Sequence, residues 1–123
     1  IPKSGAARFE TLTRAALMDG IMDAAILIVY EGRMRPENKY VKSFVVYQRE
    51  KIQRGLEVAA ALSPQYVNGA MPDAGEIALA CVLDYLDFRQ QLNWRDHAAN
   101  LQAWLADFAA AVPGYTETLP PAA

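Results

Sequence analysis

Cys81 and His97 carry the side chains best suited to act as a nucleophile, a general base or a metal ligand. The sequence contains one cysteine and one histidine, too few for a disulfide framework or a conventional zinc site. Cys81 falls in an apolar segment, where burial raises a thiol pKa, and His97 has no triad-like setting. We therefore predict a buried, unreactive Cys81, a surface His97, and neither a catalytic residue nor a metal site.

Asp84 and Arg89 are charged residues of an otherwise largely apolar segment. A carboxylate is costly to bury unless it is paired, so we expect Asp84 to have a structural partner. The candidate partners are a backbone N–H, Arg33, Arg35 and Arg54. Arg89, together with Asp87, closes the segment, and a cation suits the C-terminal end of a helix dipole. We predict structural roles for Asp84 and Arg89.

Asp73 and Glu76 have the spacing of a capping box. The Asp73 side chain can accept from a backbone N–H of the first helical turn, and Glu76 can reach back to the Asp73 N–H. The pair predicts the start of a helix directly after the stretch 63–72, which contains two prolines and Asn68-Gly69 and reads as a loop.

Four segments have the apolar periodicity of amphipathic helices. They cover about residues 5–31, 37–62, 73–89 and 94–112, and an extended tail is expected to follow to residue 123. The first two should form a long antiparallel hairpin. The third is apolar nearly all round, which predicts a central helix surrounded by the others. Gly20 costs helix stability, so it indicates a close helix contact or a bend, although a merely tolerated glycine is the alternative.

The composition fits one globular domain. Of 123 residues, 53% are hydrophobic, which is enough for a core. The formal charge of −2 and the lack of a basic stripe argue against nucleic acid, and no apolar run approaches the roughly 20 residues that span a bilayer. We expect residues 1–123 to form one cytosolic all-α domain, a bundle of four to five helices, without a nucleic-acid or membrane partner.

The capping-box segment, DAGEIALACVLDYLDFR at 73–89, resembles the corresponding helix of glutathione transferases, especially bacterial ones. Further segments are similar to the C-terminal helical domain of that family in order and approximate spacing: ALMDGIMDAA (16–25), RMRP (33–36), KIQRGL (51–56) and LQAWL (101–105). Two positions depart from the family pattern, Asp73 where Ser or Thr is usual and Val112-Pro113 where Arg-Pro is typical. The resemblance covers nearly the whole chain.

The resemblance implies a detoxifying enzyme in which the thiolate of glutathione, the co-substrate, attacks hydrophobic electrophiles. The helical domain of this family supplies the electrophile-pocket wall, mainly from its first helix and the region after the capping-box helix. The residues so implied are Met18, Met22, Ile26, Tyr30 and Trp94, for which core packing is the commoner role. Asp19 and Asp23 are implied as glutathione contacts of a neighbouring subunit, with a solvated or dimer-facing acid pair as the alternative.

The thioredoxin-like domain of the family, which carries the Ser, Tyr or Cys that acts on glutathione, has no counterpart in this sequence. The resemblance therefore implies that this chain alone binds glutathione weakly and is inactive. The expected partners are the missing domain, a second copy of the chain and a hydrophobic small molecule. Two alternatives are a non-catalytic interaction module of the same family and an unrelated four-helix protein with a Met-lined ligand pocket.

Overall fold

A computed structural model describes residues 1–62, 64, 66 and 69–120. Its α-helices are α1 (Gly5–Met34), α2 (Lys42–Ala61), α3 (Ala74–Arg89), α4 (Leu101–Ala111) and α5 (Pro113–Glu117). Short 3-10 turns at Glu37–Lys39 and Trp94–Asp96 lie between them. The described residues contain no β-strand, and the predicted all-α bundle is confirmed. The predicted loop at 63–72 lies partly outside the described residues, as does the end of the tail.

The long helix α1 packs against both α2 and α3. Gly55 of α2 allows a close approach of the two helices, because a Cβ at that position would lie 2.6 Å from Cγ1 of Ile21. A Cβ at Gly20, by contrast, would meet nothing within 4 Å. The close contact expected at Gly20 is therefore found at Gly55, where the facing residue is a large apolar side chain rather than solvent.

The start of α3 is fixed by both hydrogen bonds of a reciprocal cap. The Glu76 N–H donates to the Asp73 carboxylate at 2.9 Å, and the Asp73 N–H donates to the Glu76 carboxylate at 2.7 Å. The other carboxylate oxygen of Asp73 accepts from the Thr11 hydroxyl at 2.9 Å and from the Arg14 guanidinium. One side chain thus caps α3 and ties it to the first turns of α1.

The core is built from one face of each long helix and from residues after α3. Its largest fully buried side chains are Trp94, Ile52, Leu56, Leu83, Leu86 and Leu101. The rings of Trp104 and Phe108 stack at 5.1 Å, and Tyr66 and Tyr115 meet Phe108 edge-on at 5.3 and 5.7 Å. These contacts hold α4 and α5 against the rest of the bundle.

Three helix boundaries differ from the sequence prediction. Helix α2 begins at Lys42 instead of about residue 37, because residues Glu37–Lys39 form a separate 3-10 turn. Helix α1 continues to Met34, and the buried Glu31 carboxylate accepts from the Arg35 guanidinium at 2.6 Å and the Val41 N–H at 2.8 Å. Helix α4 begins at Leu101 instead of after Asn93, because Trp94 is fully buried as part of a 3-10 turn. Burial of an indole here outweighs the helix propensity of the flanking residues.

The tail after α4 also differs from the extended chain that was expected. Pro113 ends α4 but occupies the first position of α5, where a missing N–H costs nothing. The chain therefore turns through a short helix before Thr118.

Helix α3 is not surrounded on all sides as its apolar sequence predicted. Ile77 is 48% exposed and Phe88 is 40% exposed, and Cys81, predicted to be buried, is exposed as well. These residues share one face of α3 because they recur at helical spacing. The apolar pattern identified a largely buried helix but could not show which face its neighbours leave uncovered.

Candidate functional site

An open groove of about 350 Å³ lies along this uncovered face of α3. One wall is α3, with Cys81, Asp84, Tyr85 and Phe88, and Met22 of α1 contributes to the other side. The end of the chain completes it with Tyr115, Thr118, Leu119 and Pro120. A concave site with apolar and aromatic walls and few polar groups is typical of small-molecule binding. We call this feature the tail groove.

Tyr115 fixes the chain end that forms one side of the tail groove. Its hydroxyl donates to Oδ1 of Asp84 at 2.6 Å, and its ring meets Phe108 edge-on. The bond joins α5 to the middle of α3. Asp84 was expected to pair with a backbone N–H, Arg33, Arg35 or Arg54, and this prediction was wrong. Among the described residues, its one hydrogen-bond partner is the Tyr115 hydroxyl.

Three side chains of the tail groove, those of Asp84, Tyr115 and Cys81, have raised pKa values. Burial, opposed by the Tyr115 hydrogen bond and reinforced by the Asp87 charge, raises the pKa of the Asp84 carboxyl above its usual value. Burial and then Asp84 raise the pKa of the Tyr115 hydroxyl. Burial and the Asp84 charge also raise the pKa of the Cys81 thiol, although the residue is exposed. Cys81 therefore stays a thiol near neutral pH and is a poor nucleophile.

The charged residues beside the groove already have partners. Arg95 donates to both carboxylate oxygens of Asp87 at 2.8 and 2.9 Å, and its guanidinium lies 4.2 Å from the Trp94 ring centroid. The guanidinium of Arg89 lies 4.6 Å and 5.3 Å from the ring centroids of Phe88 and Tyr85. Arg89 thus contacts two aromatic rings of α3. Asp87 is ion-paired with Arg95, which follows α3 in the sequence.

The sequence-predicted pocket residues are spread over different parts of the fold. Met22 lines the tail groove, and Ile26, half-buried, lies one turn further along α1. Met18 is buried and borders a cavity of about 20 Å³, enough for one water molecule. Tyr30 is 48% exposed near the end of α1, and Trp94 is fully buried in the core. Their roles in ligand binding stay predictions.

The predicted acidic pair lies outside the tail groove. Asp19 and Asp23 are both exposed on α1, and their predicted contact with glutathione stays a prediction. His97 is partly exposed, with Nδ1 4.0 Å from a carboxylate oxygen of Glu57. Within the described ranges, no group of three His, Cys, Asp or Glu side chains could hold a metal ion. No helix of the described chain is both long enough and apolar enough to cross a membrane.

Sequence reasoning missed Tyr85, Phe88 and Tyr115 as groove residues. Phe88 follows Cys81 and Tyr85 at helical spacing, a signal that was present but hidden by the apolar residues on every other face of α3. Tyr115 had no such signal. Its contact with Asp84 joins two residues that are far apart in the sequence, and it depends on the turn through α5.

The comparisons with known proteins agree on one family. The profile of the family "Glutathione S-transferase, C-terminal domain" matches residues 9–107. Among curated proteins, no match was found. A glutathione transferase family member from Pseudomonas fluorescens Pf-5, solved with bound glutathione, is 39% identical with a TM-score of 0.86, and the match covers 99% of this chain and 59% of that one.

Two further solved structures are similar over the same region. A glutathione S-transferase from Methylobacillus flagellatus KT with glutathione bound is 31% identical over 98% of this chain and 60% of that one, with a TM-score of 0.85. One from Methylobacterium radiotolerans JCM 2831, in complex with glutathione sulfonate, is 29% identical over 100% of this chain and 58% of that one, with a TM-score of 0.82. The chain therefore spans about three fifths of the length of these relatives.

Proposed function

The chain belongs to the glutathione S-transferase C-terminal domain family, and on this premise we propose that it is the helical half of a glutathione transferase. Residues 1–123 form one domain, and a thioredoxin-like domain outside this sequence supplies the glutathione site. The relatives that bind glutathione support this division, because the present chain matches about three fifths of each of them. Glutathione is then the co-substrate of the whole protein rather than a tight ligand of this chain.

The tail groove is the proposed wall of the electrophile site, and it is the observation that carries the proposal. Met22, Phe88 and Tyr115 present an adaptable thioether and two aromatic rings around an open space of about 350 Å³. A flexible methionine beside aromatic rings suits ligands of varied shape. The role of Met22 as a pocket residue is supported by this placement, and Ile26 extends the same stripe of α1.

The proposed reaction uses a nucleophile from the co-substrate. The glutathione sulfur, as thiolate, attacks an electrophilic carbon of the bound ligand; a carbon–sulfur bond forms while the bond to the leaving group breaks, and the leaving group departs with the electron pair. The thiol proton passes to solvent or to a base of the thioredoxin-like domain. Cys81 is not a competing nucleophile, because burial and Asp84 raise its thiol pKa.

The exposed face of α1 and α2 is the proposed contact with a second copy of the chain. A groove of about 400 Å³ between these helices is lined by residues that include Ala16, Gly20, Lys51 and Arg54. The acids Asp19 and Asp23 are also exposed on α1. In a two-fold dimer, the acidic stripe of one α1 can meet the basic groups on α2 of the other copy. This arrangement supports the dimer-facing alternative for Asp19 and Asp23.

A charge-reversal pair tests the proposed dimer. Replacing Asp19 and Asp23 by lysine should weaken self-association in analytical ultracentrifugation, and adding Lys51→Glu and Arg54→Glu should restore it. A dimer whose stability is unchanged by both sets of substitutions would show that the contact lies elsewhere. A protein that is monomeric at all concentrations would exclude this dimer.

The function is tested by comparing the natural full-length gene product with this chain. Its intact mass is measured first, and both proteins are assayed for conjugation of glutathione to 1-chloro-2,4-dinitrobenzene. Conjugation by the full product but not by the 123-residue chain supports the helical half of a transferase. A natural product with the mass of this chain and no conjugating activity would contradict the proposal.

A second candidate function is a non-catalytic interaction module. Exposed apolar side chains on the first two helices favour it, since Phe9 is 71% exposed, Tyr47 55% and Val58 50%. The same assay separates the two functions. An inactive natural product that nevertheless self-associates through α1 and α2 would favour the module.

A further inference from the structure

Asp84 is the one charged side chain among the residues that line the tail groove. Oδ1 accepts from the Tyr115 hydroxyl, and within the described ranges Oδ2 has no hydrogen-bond or ion-pair partner. The nearest basic residues do not neutralise it: Arg95 is paired with Asp87, and Arg89 lies over the rings of Phe88 and Tyr85. The groove therefore holds a carboxyl group that has one free acceptor atom and, among the described residues, no paired cation.

The walls around this carboxylate are aromatic. Tyr85, Phe88 and Tyr115 all line the groove, and Met22 and Leu119 add apolar surface. Arg89 already lies over the rings of Tyr85 and Phe88, whereas the Tyr115 ring has no such contact among the described residues. An aromatic face attracts a cation through its quadrupole, and a carboxylate adds direct charge attraction. A ligand with a positively charged nitrogen and an apolar body matches both properties, whereas an anion would meet an unpaired acid.

We propose that the tail groove selectively binds hydrophobic organic cations, with the ammonium group beside Asp84 and the apolar body against Phe88, Tyr115 and Met22. This inference rests on the proposed function in that it assigns a ligand class to the same groove. The volume of about 350 Å³ lies at the small end of ligand sites, which favours compact amines over large ones. The selectivity depends on groups of this chain, so it can be measured in the natural full-length protein without glutathione.

Three probes of the same shape and different charge test the proposal: 4-phenylbutylamine, 4-phenylbutan-1-ol and 4-phenylbutanoic acid. Each is titrated into the isotopically labelled full-length protein near neutral pH without glutathione, and the dissociation constant is read from shifts of the amide signals. The amine should bind roughly fivefold more tightly than the alcohol, and the acid more weakly than both. The signals of Phe88 and Tyr115 should move the most. Equal affinity for amine and alcohol, or no binding of any probe, would overturn the proposal.

The Asp84→Asn variant removes the charge while keeping an acceptor for the Tyr115 hydroxyl. It should abolish the preference for the amine over the alcohol. Asp107→Asn, which removes an exposed acid of α4 that does not line the groove, is the matched control and should keep the preference. An amine preference that survives in Asp84→Asn would assign it to other groups and overturn the proposal.

A second measurement on the unaltered chain covers the case in which Asp84→Asn fails to fold. Protonation of Asp84 neutralises the groove, so the ratio of amine to alcohol affinity should fall toward one as the pH is lowered from about 7 to about 4. Asp87 shares this region and is paired with Arg95. A constant ratio over this range would contradict the role of Asp84. Selective amine binding by a protein that conjugates nothing would refute the transferase function alone.

Discussion

Asp73 and Asp84 lie on the same helix, but their surroundings are opposite. Burial alone would raise the pKa of Asp73, but the Glu76 N–H, the Thr11 hydroxyl and the Arg14 charge together lower it below its usual value. Burial and the Asp87 charge raise the pKa of Asp84, which has one hydrogen-bond donor. The first carboxylate is saturated with donors and stabilises the fold. The second retains a free oxygen in a groove and is available to a ligand.

The largest expected effect on stability comes from removing the Asp73 carboxylate. Asp73→Ala removes the cap of α3 together with the bonds from Thr11 and Arg14, so the free energy of unfolding should fall by about 2 kcal/mol. Asp84→Ala removes one hydrogen bond in a half-exposed site and should cost less than about 1 kcal/mol. Urea denaturation measures both. Equal losses of unfolding free energy in the two variants would contradict the proposed difference between Asp73 and Asp84.

The next effect tests the close packing of α1 at the capped end of α3. A Cβ at Gly75 would lie 2.9 Å from Cβ of Arg14 and 3.2 Å from the Thr11 carbonyl oxygen. Gly75→Ala should therefore destabilise by about 1 to 2 kcal/mol. Gly20→Ala is the control, because its Cβ would meet nothing within 4 Å and should instead stabilise α1 by up to about 1 kcal/mol. A stable Gly75→Ala variant would show that the two helices separate easily.

Tyr115→Phe tests the link between α5 and the tail groove. It removes the bond to Asp84 but keeps the ring against Phe108, so the free energy of unfolding should fall by about 1 kcal/mol. Hydrogen exchange should accelerate in α5 before it changes in α1. Tyr47→Phe, at an exposed position of α2, should change neither. Unchanged exchange in α5 would mean that the hydroxyl does not hold the chain end.

The smallest expected effect is that the contributions of Asp73 and Asp84 to stability depend on pH with opposite sign. Asp73 contributes stability that is present above its unfolded-state pKa of about 3.9 and is lost as the pH falls through its lower folded-state pKa. Asp84 behaves in the opposite way: as the pH rises from about 3.9 through its raised folded-state pKa, ionisation of the acid reduces the free energy of unfolding.

The asparagine variants should reveal this difference. Near neutral pH, Asp73→Asn should be less stable than the unaltered chain, whereas Asp84→Asn should be more stable, and the gain should vanish in acid. Denaturation curves at a series of pH values measure both. A loss of stability in Asp84→Asn at neutral pH would contradict the raised pKa of Asp84.

The two ends of α3 also differ in how far the sequence could predict them. Asp73 and Glu76 are three residues apart, so the capping hydrogen bonds follow from local spacing. The tail groove depends on Tyr115 reaching Asp84 from a distant part of the chain, which periodicity cannot show. The exposure of Cys81 could not be predicted from the sequence for a related reason. An all-round apolar helix predicts burial on every side, whereas the packing of α1 and the turn through α5 leave one face open.

The proposed use of the tail groove is tested most directly by the electrophile KM of the natural full-length protein. Phe88→Ala should raise the KM for 1-chloro-2,4-dinitrobenzene about fivefold through lost apolar contact, while the KM for glutathione stays unchanged. Tyr47→Ala, which removes an exposed ring outside the groove, should alter neither value. If Phe88→Ala leaves the electrophile KM unchanged, the tail groove is not the wall of the electrophile site.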